Sequence, residues 1–148
     1  MLAKSLVIFI GIGVIAGLAF GVYLIDVKNT SQLVFVEGPS ISIVTEKFDF
    51  KKGDLIKIKI VNSGTVPLIF SDTAYGLRIT GLSGILMYSP TGTETVSHLE
   101  PGADIELSWD QIKDDGEPAL EGLYKISARG VDSAGNDVGK STTITIWK

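Results

Sequence analysis

The sequence predicts an all-β protein, an antiparallel β-sandwich preceded by one N-terminal transmembrane helix. Three observations predict it. Residues 5–25, SLVIFIGIGVIAGLAFGVYLI, carry no charge and no proline. Beyond residue 25 the chain changes to short segments of alternating apolar and polar residues, with turn residues about every eight to twelve positions. No stretch after that point keeps a helical period through two turns.

At about 1.5 Å per residue the apolar run spans roughly 30 Å, the thickness of a bilayer's hydrocarbon core. Lipid offers no partners to backbone N–H and C=O groups, so such a run must be helical. Gly13, Gly17 and Gly21 recur every fourth residue and share one helix face. A face without Cβ atoms lets another helix approach closely, so it suits homo- or hetero-oligomeric packing in the membrane. Glycine is also common in membrane helices generally, which is the plainer account of the same residues. Lys4 precedes the run, and the positive-inside bias then sets the N-terminus in the cytoplasm and the remainder outside. A cleavable signal peptide competes with this anchor, because Gly17-Leu18-Ala19 and Ala19-Phe20-Gly21 both offer small residues for cleavage. The continuation of the apolar run to Ile25 favours the anchor.

The chain thus divides into a signal-anchor helix (1–25), a polar tether (26–32) and an extracytoplasmic β-domain (33–148). The 148 residues carry a net charge of −4 and no cysteine. All the acidic residues and every basic residue except Lys4 fall after Ile25, so the exported part is acidic. That balance argues against nucleic acid as a partner. Without cysteine the domain forms no disulfide, and its stability rests on packing. Asn29-Thr30-Ser31 fits the N-x-[ST] acceptor pattern and makes Asn29 a candidate glycosylation site.

The elements follow in order. Residues 33–36 and 40–44 have β-like composition and are broken by Gly38-Pro39. Phe48 and Phe50 alternate with Asp49, and 51–54, KKGD, make a turn. Residues 55–61 are the clearest strand, with Ile56, Ile58 and Ile60 on one face and Lys57 and Lys59 on the other. A turn at 62–65 leads to a short strand at 68–70, with Pro67 at its start. Strands at 77–80 and 85–88 follow, then a loop at 89–94. Pro101-Gly102 turns the chain before 105–109, where Ile105, Leu107 and Trp109 share a face. The longest polar connection, 110–122, leads to 123–131, with Tyr124, Ile126 and Ala128 inward. The turn 132–139 gives way to 141–147, where Ile144 and Ile146 oppose Thr143, Thr145 and Trp147.

The second half carries a recognisable layout. Leu99-Glu100-Pro101-Gly102, Ser108-Trp109-Asp110, Gly116 and 121–126 (EGLYKI) resemble the L-x-P-G … W-D … G … x-G-x-Y-x-I pattern of the immunoglobulin-like intracellular proteinase inhibitor family. Flagellar-hook-cap Ig-like domains are similar. Residues 61–68, VNSGTVPL, resemble the family's earlier V-x-N-x-G/S-x-x-P-L turn. The resemblance implies an Ig-like sandwich in which Pro101, Gly102, Trp109, Gly122 and Tyr124 define the fold, and it raises proteinase inhibition through a loop such as 89–94. In architecture alone, a short membrane helix before a cysteine-free Ig-like domain also resembles stator proteins of the archaeal motility filament and small exported proteins of ammonia-oxidising archaea.

Catalytic chemistry finds little material. His98 is the single histidine, and without cysteine a blue-copper site has no ligand set. No G-x-S-x-G elbow occurs. The acidic loops 114–117 and 132–137 lack EF-hand spacing, and Asp, Asn and Gly are what tight turns need. No cofactor or metal is expected. Residues 85–88, ILMY, are apolar on both faces, which fits a central strand buried on both sides. The alternative is an edge offered to a partner, to which Met87 and Tyr88 are suited. The expected function is non-enzymatic: an accessory or structural subunit of a membrane or cell-envelope complex, held in the lipid bilayer, whose exported domain binds or braces another envelope protein.

Overall fold

The structure, a computed structural model, describes residues 15, 17, 18 and 33–148. The chain divides into two compact units, Met1–Ser31 and Gln32–Lys148. In the first unit the described residues Ile15, Gly17 and Leu18 are helical and exposed. Gly17 has open space where a Cβ would stand. The rest of the expected membrane helix, with Gly13 and Gly21, lies outside the described residues, as do Asn29 and the tether. Among the described residues no helix is long and apolar enough to cross a membrane.

Residues 33–148 are all β, in two sheets. The first holds β1 (Ile41–Thr45), β3 (Ile56–Asn62) and β8 (Asp104–Trp109), in the order β1-β3-β8 and antiparallel throughout. The second runs β2 (Asp49–Lys51), β10 (Asp137–Trp147), β9 (Gly122–Asp132), β4 (Leu68–Phe70) and β7 (Ser97–Leu99). Two further strands, β5 (Arg78–Gly81) and β6 (Leu86–Tyr88), join it through β9. The sheet is mixed, because β2 pairs with β10 in parallel.

The alternation seen in the sequence is what buries the core. Ile56, Ile58 and Ile60 on β3 are fully buried, while Lys57 and Lys59 between them are exposed. From the second sheet Phe50, Phe70, Ile126, Ile144 and Ile146 meet them, and Trp109 closes one end. Each such side chain stabilises the fold by about 1.5–3 kcal/mol through removal of apolar area from water. Residues 33–36 depart from expectation. They form no strand, and Val34, Phe35 and Val36 stay exposed. Conversely β7 was not foreseen. It is a three-residue edge strand whose only fully buried side chain is Leu99, too short to show a period.

β4 and β5 are one strand interrupted. Phe70 pairs with Ser97 and Ile79 with Tyr88, so the register advances equally on both sides of the β4/β5–β6/β7 arm. Against β9 it does not: Ile69 pairs with Val131 and Ile79 with Ile126. Residues 71–77 and 89–96 therefore bow away from β9 together. Thr73 and Thr93 bond across this lobe, the Thr93 amide donating to Thr73 Oγ1 at 2.9 Å. At its base Tyr75 and Gly76 both take positive φ, 54° and 64°, and a Cβ on Gly76 would fall on the Arg129 carbonyl oxygen. Only glycine fits there.

A buried amide clamps each end of the sandwich. At the near end, where residues 33–40 lead in, Asn62 Nδ2 donates to the carbonyls of Val66 and Leu99, both at 2.8 Å. Its Oδ1 accepts the Gly64 amide at 3.0 Å. The bond to Leu99 ties the first sheet to β7 of the second. The incoming chain crosses this turn so closely that a Cβ on Gly64 would fall on the Gly38 carbonyl. At the far end Gln111, at φ 65°, accepts the Gly53 amide on Oε1 at 3.0 Å. Its Nε2 donates to Lys51 O at 2.9 Å and Asp54 O at 3.0 Å. Among the described residues no buried side-chain polar atom lacks a partner.

Removing the amide in Asn62→Ala strands two carbonyls and one N–H in a dry site. The expected loss is about 3 kcal/mol of unfolding free energy, read by urea denaturation of the full-length chain. A second expectation concerns acid. Asp132 is held below the usual carboxylate range, first by the Asn136 side-chain amide at 3.0 Å and then by backbone N–H groups. Asp54 is lowered chiefly by the Lys51 amide and Asp115 by the Glu117 amide. A depressed carboxylate contributes stability that is complete above the ordinary carboxylate pKa of about 4 and is lost as pH falls through its own lower value. Thermal midpoints should hold from neutral pH to about 5 and fall below about 4. Asp132→Asn should start lower and fall less steeply on the acid side.

Candidate functional site

The far end of the domain is built on a column of three rings. Tyr88, on β6, stacks on Trp109 with centroids 5.9 Å apart and planes 22° apart. Tyr124, on β9, meets the other side of Trp109 edge-on at 5.7 Å and 63°. The polar tips of Trp109 and Tyr124 pin the long connection 110–121. Trp109 Nε1 donates to Ile112 O at 2.8 Å, and the Tyr124 hydroxyl donates to Leu120 O at 2.6 Å. The Asp114 amide donates to Met87 O at 2.9 Å, and the Asp114 carboxylate accepts the Ser89 amide at 3.2 Å. Burial raises the pKa of both tyrosines. The charges of Asp110 and Asp114 push Tyr88 further up.

Apolar side chains stand around this column unburied. Leu55, Leu82, Ile85, Leu86, Ile112, Leu120, Leu123 and Trp147 are all exposed, Ile85 at 62% and Leu120 at 71%. Register puts them at one end. Ile56 pairs with Trp109, Gly81 with Tyr124, and Trp147 with Lys51. Residues 33–40 enter at the other end, where the Val36 amide donates to Ser63 O and the Thr65 amide to Gly38 O. An open groove of about 430 Å³ runs between Leu55, Tyr88 and Ile112, edged by Ser108, Asp110 and Lys113. Apolar and polar side chains line it in equal number if Tyr88 is counted with the apolar ones.

Residues 85–88 correct the reading of a strand buried on both faces. β6 pairs with β5 alone and is a sheet edge. Ile85 and Leu86 are exposed, and Met87 and Tyr88 are half-buried against the core. The reason is the absence of any strand beyond β6 among the described residues. Pro101 and Gly102 form the turn before β8, closed by the Ala103 amide on Glu100 O at 2.9 Å, with Gly102 at φ 78°. Gly122 opens β9 at φ 143°. His98 lies exposed on the edge strand β7. In the two acidic loops Asp132 is engaged with Ala134 and Asn136, and Asp115 with Glu117 and Lys113, while Asp114 and Asp137 bond outside their turns to Ser89 and Arg129. The sequence reading missed Leu55, Ile112 and Leu120 as surface groups. The signal was present for the last two, as isolated apolar residues inside an otherwise polar connection.

No protein-family model matches the chain, and none of the curated proteins does. Among solved structures it is similar to Spo0M, a sporulation control protein from Bacillus subtilis. The identity is 10% and the TM-score 0.47, over 76% of this chain and 51% of that one. The chain spans about half the length of that structure, and a likeness at this level carries neither fold nor activity across.

The ring column separates two contributions at Tyr124. Tyr124→Phe keeps the ring and loses one bond to Leu120, so about 1 kcal/mol of stability should go. Trp109→Ala also removes a buried aromatic body and should cost about 4 kcal/mol. Denaturant midpoints of the two full-length variants check both values.

Proposed function

We propose that the protein is a non-enzymatic, single-pass membrane protein whose exported Ig-like domain binds or braces another envelope protein. Residues 5–25 anchor it with the N-terminus in the cytoplasm, and the face of Gly13, Gly17 and Gly21 packs against a second helix. The carrying observation is the cluster of exposed apolar side chains at the domain's far end, opposite residues 33–40 through which the domain joins the rest of the chain. Leu55, Met87, Tyr88 and Ile112 contribute the contact, and Ile85 and Leu120 enlarge it.

The Ig-like assignment has two supports. The strand order β1-β3-β8 against β2-β10-β9-β4 follows the A-B-E and A′-G-F-C arrangement of Ig-type sandwiches, with β2 as a short parallel partner of the last strand. The Tyr124 hydroxyl bonds to a carbonyl four residues upstream, near the start of β9, as a tyrosine corner does. A stator-type role in a motility filament is one form of this reading, and the partner's identity would decide it.

The test is purification from gently solubilised native membranes, with mass spectrometry of the N-terminus and of crosslinked peptides. The expected result is an intact N-terminus, one partner in fixed ratio, and crosslinks at 82–88 and 110–121. In the double variant Ile85→Asp/Leu120→Asp recovery of the partner should fall at least about tenfold with an unchanged thermal midpoint, because both side chains are on the surface. A mature chain beginning near Phe20 or Val22, soluble and alone, overturns the reading.

A further inference from the structure

The outer face of the second sheet carries a constellation of a different kind. Arg78 on β5 pairs with Ser127 on β9, and Ser127 pairs with Ser141 on β10. These three residues form one row across three adjacent strands. Lys125 and Arg129 lie two residues to either side of Ser127 on the same strand, so on the same face about 7 Å away each. Lys140 pairs with the core residue Ala128, so its side chain stands on the other face of β10. The result is an open groove of about 580 Å³. Its floor is small, made of Gly76, Ser127, Gly139 and Ser141. Its walls are three long cations, Arg78, Lys125 and Arg129.

Three features distinguish this groove from an ordinary solvated strand face. No carboxylate and no aromatic ring lines it, on a protein whose net charge is −4. Among the described residues, Arg78 and Lys125 have no ion-pair partner. Arg129 meets Asp137 at 3.2 Å, but both side chains are exposed, and such a pair exchanges readily for a better-placed anion. Second, the floor is kept low. Gly76 admits no side chain, since a Cβ would fall on the Arg129 carbonyl, and Gly139 opposite Arg129 leaves that guanidinium free to lean over the sheet. Third, the two serines are cross-strand partners in the middle of the row, with Lys125 and Arg129 to either side of Ser127 along β9. Ser127 Oγ reaches Arg78 O at 3.3 Å, a long bond that leaves the hydroxyl able to turn.

We propose that this groove binds a ligand through a tetrahedral oxyanion, phosphate or sulfate, seated over Ser127 and Ser141 and held by Arg78, Lys125 and Arg129. The hydroxyls and guanidinium N–H groups donate to the oxyanion, and Lys125 supplies charge. Lack of an aromatic platform speaks against recognition by stacking on a base or sugar ring. This site is independent of the far-end contact, and either can fail without the other.

The test is equilibrium titration of the full-length protein with three probes: sodium phosphate, sodium sulfate and a heparin-derived sulfated hexasaccharide. A glutamate hexapeptide serves as comparison. The expected result is saturable binding of a phosphate or sulfate probe that weakens steeply with added salt. Ser127→Asp, which sets a carboxylate at the centre, should weaken it at least about tenfold, and Arg78→Gln/Lys125→Gln by about as much, with thermal midpoints confirming the fold. Hexasaccharide binding tenfold tighter than the free ions assigns the oxyanion to a polymer, and comparable binding assigns it to a small molecule; both uphold the site. Equal binding of the glutamate peptide, unchanged affinity in both variants, or no saturation by any phosphate or sulfate probe overturns it.

Discussion

Two side-chain amides hold this domain at its ends. Asn62 makes three hydrogen bonds inside a dry turn, and Gln111 makes three more at the opposite pole. A chain with no cysteine has no covalent means of fixing one sheet over the other. The isoleucine-rich core supplies attraction but little direction, because apolar contact is indifferent to small slides. Hydrogen bonds in a low-dielectric site are directional, and leaving one unmade is costly. Asn62 sets the near end by joining β3 to β7, and Gln111 sets the far end by joining the 51–54 turn to the 110–121 connection. The sheets, the ring column and both surface sites take their positions between these two fixed points.

The two surfaces differ because the fold supports them differently. The far end is carried by Trp109, whose stacking partners and indole N–H determine where Tyr88, Ile112 and Leu120 can stand. Its apolar groups remain outside because β6 is an edge and the 110–121 connection is anchored by backbone bonds rather than by burial of its side chains. The cationic groove, by contrast, lies on the middle of a sheet. Its geometry follows from ladder register, which places residues of three strands in a row with side chains on one face. Protein-wide net charge gives no hint of it, since that number sums over the whole surface.

Much of the fold was legible in the sequence where the period of two was strong. β3 with its alternating Ile and Lys, and β9 with Tyr124, Ile126 and Ala128 inward, need no further information. β7 was not legible, because three residues, one of them facing the core, carry no period. The interrupted strand β4/β5 looked like two unrelated strands, since only the pairing of Phe70 and Ile79 to a common partner arm reveals their unity. Asn62 read as a turn residue, and nothing in its neighbours marks the carbonyl of Leu99 as its partner. Of the far-end surface, Met87 and Tyr88 were visible as residue types. The groove was invisible, because Arg78, Ser127 and Ser141 come together only through two registers that local pattern does not set.

The lobe of residues 71–77 and 89–96 has a consequence for how this chain can vary in length. Its two sides advance together from Phe70–Ser97 to Ile79–Tyr88. A residue lost from one side alone would slip β5 against β6 and turn Ile79 out of the core. Losses or gains must therefore come as matched pairs, one on each side, for the register beyond them to survive. Such paired changes leave β9 untouched, since β9 spans the same distance by its own shorter path. The lobe is thus a place where the domain can be lengthened or trimmed like a hairpin inside a sandwich, with its length set by agreement between two distant segments of chain.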